Sequence, residues 1–176
     1  MDLFGTAGIR GPARERVTPE LALSVGRAVG AGVVDDADGG VGLPPEVVVA
    51  RDGRTTGEAL AAATEAGLES AGAAVRRAGV LPTPALAYAS RGRYGVMLTA
   101  SHNPPADNGI KLFVDGWEYD RDRESGVEAR VAAGREPAPW DEWGGSERVA
   151  PLSDYRRAVV DYARGHGDPA DGLAGA

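Results

Sequence analysis

A polar loop in the second half of the chain brings together the side chains best suited to chemistry. Residues 99–109 (TASHNPPADNG) follow a short apolar run and offer the Ser101 hydroxyl, the His102 imidazole and the Asn103 amide. Loops that follow the carboxyl ends of strands are where open α/β sheets bind ligands. Ser101 is therefore a candidate nucleophile. The simpler alternative is that Ser101 and Asn103 only satisfy the backbone of a turn.

A loop with a serine and a histidine could belong to a serine hydrolase, but the residues around Ser101 disfavour that enzyme class. The GxSxG elbow that presents the nucleophile of α/β hydrolases does not occur around Ser101. His102 is the immediate neighbour of Ser101, and a neighbouring ring seldom points at the preceding side chain. For His102 alone, a structural role is the simpler interpretation.

Lys111 follows the loop and is the only lysine among the 19 basic residues. Arginine stays protonated in proteins, whereas a lysine whose pKa is lowered by burial or nearby charge can act as base and then as acid. The dipeptide Asn108-Gly109 is typical of a tight turn, which would bring Lys111 back beside Ser101. Lys111 is therefore a candidate acid–base group.

Two other segments are candidate functional sites. Residues 4–11 (FGTAGIRG) combine three glycines with Arg10, which suits close approach of backbone and guanidinium to an anion. The segment lacks the GK[ST] ending of a P-loop, and a flexible N-terminal turn is the alternative. Asp52 and Arg54 follow an apolar run, and we interpret them as a loop ion pair that leads into a helix.

The elements that would position these segments alternate between strand and helix periods, which is typical of an α/β domain. One helix begins at Pro19 with Thr18 as its N-cap, and Thr55 with Glu58 forms the capping box of the next. Residues 35–45 are predicted to be a solvated loop. Further helices are predicted at residues 85–90 and 123–133 and after a cap at 153 or 154, and strands at 46–50, 74–81, 95–100 and 110–114.

Composition narrows the function classes. The formal net charge is −7, which disfavours nucleic acid as a partner. No apolar run approaches the length that crosses a bilayer, and no export signal is recognisable, so we expect a cytoplasmic protein without membrane contact. The chain has no cysteine and two histidines, so any bound metal would be held by oxygen ligands.

Four segments resemble, in order, the first domain of the α-D-phosphohexomutase family of phosphoglucomutases, phosphomannomutases and phosphoglucosamine mutases. They are FGTAGIRG, VVVARDGRTTGEAL, GVLPTPALAY and GVMLTASHNPPADNGIKLF, and they span most of residues 4–114. The TASHNP loop followed by NGxK is the most specific of them. With this resemblance we expect a three-layer α/β/α domain with a short mixed sheet at residues 1–150. A helix and linker at 151–176 would lead towards a second domain.

The resemblance also implies roles for individual residues. Ser101 would carry a phosphoryl group and donate it to a hexose phosphate, so that hexose 1-phosphate and 6-phosphate interconvert through a bisphosphorylated sugar. Lys111 would be the general acid/base, while His102 and Arg10 would assist protonation and hold charge. The phosphate-binding positions would be Thr6, Gly8 and Asn103.

The family's Mg²⁺ would be bridged by the phosphoserine, here Ser101, and by three aspartates of a DGDxDR loop. Neither that loop nor the family's GExSG sugar loop occurs in the 176 residues. We therefore expect the isolated chain to be inactive, with the remaining mutase domains as partners if they are encoded downstream. The alternative is a stand-alone module that binds a sugar phosphate or accepts a phosphoryl group without turnover.

Overall fold

The computed structural model describes residues 2–5, 8–40 and 42–166. In this part of the chain, seven strands and five helices alternate along most of the sequence. The strands are β1 Ile9–Pro12, β2 Glu46–Arg51, β3 Ala74–Val80, β4 Tyr94–Leu98, β5 Asp107–Val114, β6 Trp117–Glu118 and β7 Ser146–Arg148. The helices are α1 Pro19–Asp38, α2 Gly57–Ser70, α3 Thr83–Ala89, α4 Arg121–Ala133 and α5 Leu152–His166.

All seven strands belong to one sheet, which is mixed, as the resemblance implied. The order is β1-β5-β4-β2-β3-β7, with β6 paired to β5. Strands β2, β3, β4 and β7 run parallel, whereas β5 is antiparallel to both β4 and β1. The carboxyl ends of β2 and β4 therefore meet the beginning of β5 at one edge of the sheet.

Helices cover both faces of the sheet, which gives the expected three layers. Successive residues of β2 point to opposite faces, so Val47 and Val49 join the core under α1, α2 and α4. Val48 and Ala50 join a smaller core under α3, where Leu152 and Tyr155 of α5 also pack. The predicted linker helix is thus docked on the sheet at its first turn, and the division at residue 150 stays a prediction.

Glycines set the close crossing of α1 and α2. A Cβ at Gly26 would lie 2.3 Å from the Thr64 carbonyl oxygen, and one at Gly67 would lie 2.3 Å from that of Leu23. These neighbours are backbone atoms of the opposing helix, which cannot move aside without shifting the helix. The two helices can therefore approach this closely only where both lack a side chain.

Several predicted boundaries are wrong. Helix α1 runs to Asp38 and ends at Gly39, so it takes up the first part of the predicted loop 35–45. The N-cap of α2 is Thr56, so the capping box of Thr55 and Glu58 does not form. Helix α5 begins at Leu152, one residue before the first of its two predicted caps. Thr18 does cap α1, accepting a hydrogen bond from the Leu21 amide at 3.3 Å.

The predicted turn at Asn108-Gly109 is also wrong, because both residues lie inside β5. A Cβ at Gly109 would lie 2.5 Å from the Thr99 carbonyl oxygen, so glycine is needed there for the close approach of neighbouring strands. The tight turn instead lies between β5 and β6, at Asp115 and Gly116, whose φ angles are 49° and 85°. Two positive φ angles in a two-residue hairpin loop are the geometry of a type I′ turn.

Candidate active site

Ser101 lies just beyond the carboxyl end of β4, on the loop that leads into β5. The chain is buried through Ala100, and Ser101 and His102 are exposed. Ser101 has a φ of 52°, in the left-handed region, which costs a non-glycine residue about 1 kcal/mol or more. Its amide donates a hydrogen bond to Thr99 Oγ1 at 3.1 Å. The fold therefore presents the candidate nucleophile to ligands on a sharply turned backbone.

The predicted ion pair of Asp52 and Arg54 forms at the end of β2 and reaches the Ser101 loop. The Arg54 Nε donates to Asp52 Oδ2 at 3.1 Å, and the Arg54 amide donates to Asp52 Oδ1 at 3.0 Å. Asp52 Oδ2 also accepts from the Thr99 hydroxyl at 2.7 Å. One carboxylate thus joins the ends of β2 and β4.

Arg54 also contacts the loop directly, which the sequence did not predict. Its guanidinium donates to four backbone carbonyls of the loop, those of Ser101, Asn103, Pro104 and Asp107. These partners lie about fifty residues from Arg54 along the chain, and no local pattern signals such contacts. The pairing of β2 with β4 brings them together.

Asn103 braces the same loop with its side chain. Its Nδ2 donates to Asp107 Oδ2 at 2.9 Å, and its amide donates to the Ala100 carbonyl at 3.0 Å. Asn103 is half-buried. These contacts match the simpler alternative weighed above, in which this polar residue supports the turn.

The N-terminal glycine segment lies beside the beginning of β5. Strand β1 pairs Arg10 with Gly109, and a Cβ at Gly8 would come within 2.6 Å of the Ile110 carbonyl oxygen. Gly8 has a φ of 82°, so the left-handed conformation and the close contact both favour glycine. Arg10 is half-buried, and its Nε is a buried donor without a hydrogen-bond partner in the described structure. The candidate residue Thr6 lies outside the described residues.

A carboxylate on α4 holds this N-terminal segment in place. Glu128 Oε1 accepts hydrogen bonds from the Leu3 amide at 2.9 Å and the Phe4 amide at 3.1 Å. The bond from Phe4, together with that from Leu3 and the charge of Arg121, holds the pKa of the Glu128 carboxyl below its usual value. The segment is therefore tied down by an ionised group.

Lys111 lies on β5, opposite Met97 of β4, and reaches this place through strand pairing rather than through a turn. Its Nζ donates to Glu118 Oε1 at 2.6 Å, and its side chain is 13% exposed. Its stem lies against Gly8, because a Cβ there would be 3.1 Å from Lys111 Cγ. The structure thus groups Lys111 with Gly8 and with Glu118, a partner that sequence reasoning missed.

The described residues do not form a cation site of their own. Among them, no group of three or more acidic, histidine or cysteine side chains is arranged to hold a metal ion. Asp52 and Asp107, the carboxylates of the Ser101 network, already accept the hydrogen bonds described above. Ser101 would contribute a single ligand, so a magnesium ion there would need oxygen ligands from elsewhere.

The described helices were also compared with the length and hydropathy that a membrane span requires. None of them combines the length and the apolar composition needed to cross a bilayer.

Comparison with known proteins identifies the class to which this fold and loop belong. A family model described as phosphoglucomutase/phosphomannomutase, alpha/beta/alpha domain I, matches residues 1–138. The chain therefore belongs to the phosphoglucomutase/phosphomannomutase family, of which it contains the alpha/beta/alpha domain I.

Individual relatives are mutases. The chain is 46% identical over 170 residues to a phosphopentomutase from Thermococcus kodakarensis, covering 94% of this chain and 35% of the relative. It is 49% identical over 169 residues to a phosphoglucosamine mutase from Salinispora arenicola, covering 93% and 37%. A solved phosphoglucomutase/phosphomannomutase family protein from Burkholderia thailandensis superposes with a TM-score of 0.77 at 32% identity, covering 90% and 35%. The chain thus spans little more than a third of these relatives.

Proposed function

We propose that this chain is the phosphoryl-carrying domain of a phosphohexomutase and that Ser101 carries the phosphoryl group. The observation that carries the proposal is the position of Ser101. It is exposed, has a φ of 52°, and lies on a loop at the carboxyl ends of β2 and β4 that is hydrogen-bonded to Arg54. A serine held in this way is accessible, and its backbone is fixed before substrate arrives, which favours transfer to a positioned hydroxyl. Membership of a family of mutases supports the class of reaction.

The reaction consists of two phosphoryl transfers in opposite directions. In the first, the bond between Ser101 Oγ and phosphorus breaks as a hydroxyl of the hexose monophosphate forms its own bond to phosphorus. The sugar hydroxyl loses its proton to a base, and the serine oxygen gains a proton. In the second, the other phosphoryl group of the sugar bisphosphate returns to Ser101, so hexose 1-phosphate and 6-phosphate interconvert.

Within this proposal, Lys111 is the general acid/base, and its contact with Glu118 supports a fixed position for its ammonium group. Arg10 and His102 would hold charge near the phosphoryl group, and the Arg10 Nε is a buried donor without a hydrogen-bond partner among the described residues. Gly8 and Asn103, with Thr6, would complete the phosphate-binding positions.

The family resemblance also implies Mg²⁺, which as a bound cation would offset the charge of the phosphoryl group. The residues that the structure describes do not fit such an ion without further ligands. We propose that those ligands and the sugar-binding loops come from the other mutase domains, so that the isolated chain has no mutase turnover. A cytoplasmic location stays a prediction.

A chimera tests the proposed function. The matched segment of the Salinispora arenicola phosphoglucosamine mutase is replaced by this chain, and turnover of hexosamine, hexose and pentose 1-phosphates is measured. We expect turnover of at least one of these sugars in the chimera and its loss with Ser101→Ala. A folded chimera in which Ser101→Ala turns over substrate as fast as the parent would overturn the proposal. Uptake of a phosphoryl group without turnover would favour the stand-alone module.

A further inference from the structure

We propose that Arg54 is a positioning residue for phosphoryl transfer: its guanidinium holds the Ser101 loop in the conformation that gives and accepts the phosphoryl group. The role in transfer rests on the function proposed for Ser101. The clamp itself rests only on contacts within the chain, so the two can be tested separately.

Every donor of the Arg54 guanidinium is engaged within the protein. A guanidinium has five N–H groups in a planar fork, one on Nε and two on each Nη. The five bonds run from Nε to Asp52 Oδ2 at 3.1 Å, from Nη1 to the carbonyls of Pro104 at 2.7 Å and Asp107 at 3.0 Å, and from Nη2 to those of Ser101 and Asn103 at 3.0 Å each. No N–H is left for a substrate phosphate, so Arg54 acts through the loop and does not touch the sugar.

The four carbonyls lie at the beginning, middle and end of the loop. Ser101 is the first exposed residue after β4, and Asp107 is the first residue of β5. A single side chain therefore closes the connection between the two strands. Arg54 is well placed for this, because its side chain is only 13% exposed and is oriented by Asp52, which also accepts from the Thr99 hydroxyl.

The loop depends on polar contacts for its shape. Ser101, His102 and residues 104–106 are exposed, so little apolar burial holds them, and the φ of 52° at Ser101 is intrinsically unfavourable. Lysine could not replace Arg54, since an ammonium group has three donors and lacks the planar fork. We therefore infer that the loop requires arginine here.

Amide hydrogen exchange tests the clamp in the 176-residue chain without any phosphoryl donor. The reporters are the amides of Ser101, Asn103 and Asp107, which donate to Thr99 Oγ1 and to the carbonyls of Ala100 and Pro104. In Arg54→Lys we expect these amides to exchange at least about tenfold faster, with the amides of the central strands unchanged. Unchanged exchange at the three reporters would overturn the clamp.

Two other variants keep this measurement interpretable. Arg77→Lys is the matched control, because Arg77 pairs with Glu65 and Glu69 at 2.8 and 3.1 Å and lies on β3. It should leave loop exchange unchanged. Asp52→Asn removes the carboxylate that orients Arg54, and we expect amide exchange at the same reporters to be faster than in the wild type but slower than in Arg54→Lys. If Arg54→Lys does not fold, unchanged exchange in Asp52→Asn would overturn the proposal.

The role in transfer is tested in the chimera with the Salinispora arenicola mutase, by the rate at which Ser101 takes up a phosphoryl group from glucose 1,6-bisphosphate. We expect Arg54→Lys to lower the rate at saturation at least about tenfold, with the half-saturating concentration within about twofold, because no substrate contact is lost. A raised half-saturating concentration with an unchanged maximal rate would show direct substrate binding and overturn the proposal. A chimera with Ser101 intact that never takes up phosphate contradicts the function of Ser101, while amide exchange in the 176-residue chain still tests the contacts of Arg54 with the loop.

Discussion

Ser101 combines an exposed hydroxyl with a backbone conformation that favours glycine. The chain therefore accepts a local cost at the residue that we propose carries the phosphoryl group. Observed strain of this kind is common at functional sites, where the surrounding structure holds it. Here the holding groups are Thr99, Asp52 and Arg54.

This strain gives a prediction about stability that is independent of any reaction. Ser101→Ala and Ser101→Gly both remove the hydroxyl, and only glycine adopts a φ of 52° freely. We expect the glycine variant to exceed the alanine variant in free energy of unfolding by about 1 kcal/mol. Denaturant unfolding measures the difference, and an alanine variant at least as stable as the glycine one would show that the loop is not strained.

Glu128 gives a prediction about pH. Because the pKa of its carboxyl is lowered in the folded state, Glu128 stabilises the fold at pH values above its ordinary 4.5. This stabilisation is lost as pH falls through the lowered folded value. We expect Glu128→Gln to reduce the midpoint temperature of unfolding near neutral pH, and this reduction to shrink below about pH 4.

Glu58→Gln is the control for this experiment, since Glu58 is an exposed carboxylate on α2 that pairs with Arg51 at 3.6 Å rather than with Arg121 or the N-terminal segment. A reduction by Glu128→Gln that is equally large in acid and at neutral pH would show that its charge does not hold Leu3 and Phe4.

At the scale of elements, the crossing of α1 and α2 brings the two helix backbones into close contact. Gly67→Ala would place a Cβ 2.3 Å from the Leu23 carbonyl oxygen and 2.7 Å from the Arg27 nitrogen. We expect this overpacking to lower the free energy of unfolding by at least about 2 kcal/mol. Thermal or denaturant unfolding of the variant measures it.

Gly32→Ala is the matched control on α1. Its Cβ would meet only the guanidinium end of Arg130, at 3.4 Å, which is ordinary contact with a flexible side chain. Since alanine is the better helix former, this variant should be unchanged or stabilised by up to about 1 kcal/mol. If the two alanine variants were equally destabilised, the helix crossing would not be the cause.

Sequence patterns predict these elements where the signal is local. Thr18 and Pro19 mark the beginning of α1, and the run at 46–50 marks β2, because caps and β-branched runs act within a few residues. Strands β1, β6 and β7 were not predicted, since they are short and are defined by pairing with other segments. The Asn-Gly pair misled for the same reason: tertiary contacts decided its conformation.

In the candidate site, too, the residues with local sequence signals were predicted and the contacts set by strand pairing were not. The TASHNP motif and the lysine that follows it can be recognised in the sequence itself, and they indicate Ser101 and Lys111. The contacts of Arg54 with that loop, and of Lys111 with Glu118, depend on how strands β2, β4, β5 and β6 are arranged. A pattern of neighbouring residues carries no information about such an arrangement.

At the scale of the whole molecule, the described residues form an α/β/α unit with the candidate site at the carboxyl ends of β2 and β4. Helix α5 docks through Leu152 and Tyr155 and is otherwise largely exposed. The family relatives are between two and three times as long as the segment matched here. The unit accordingly contains the proposed phosphoryl carrier, and the rest of the proposed reaction calls for other parts of such a protein.

The most direct measurement is to treat the chimera of this chain and the Salinispora arenicola mutase with glucose 1,6-bisphosphate and to map the phosphorylated residue by mass spectrometry of the intact chimera and its peptides. We expect one phosphoryl group per chain, located on Ser101 and lost in Ser101→Ala. Phosphate on another residue, or a chain that never takes up phosphate at Ser101, would contradict it.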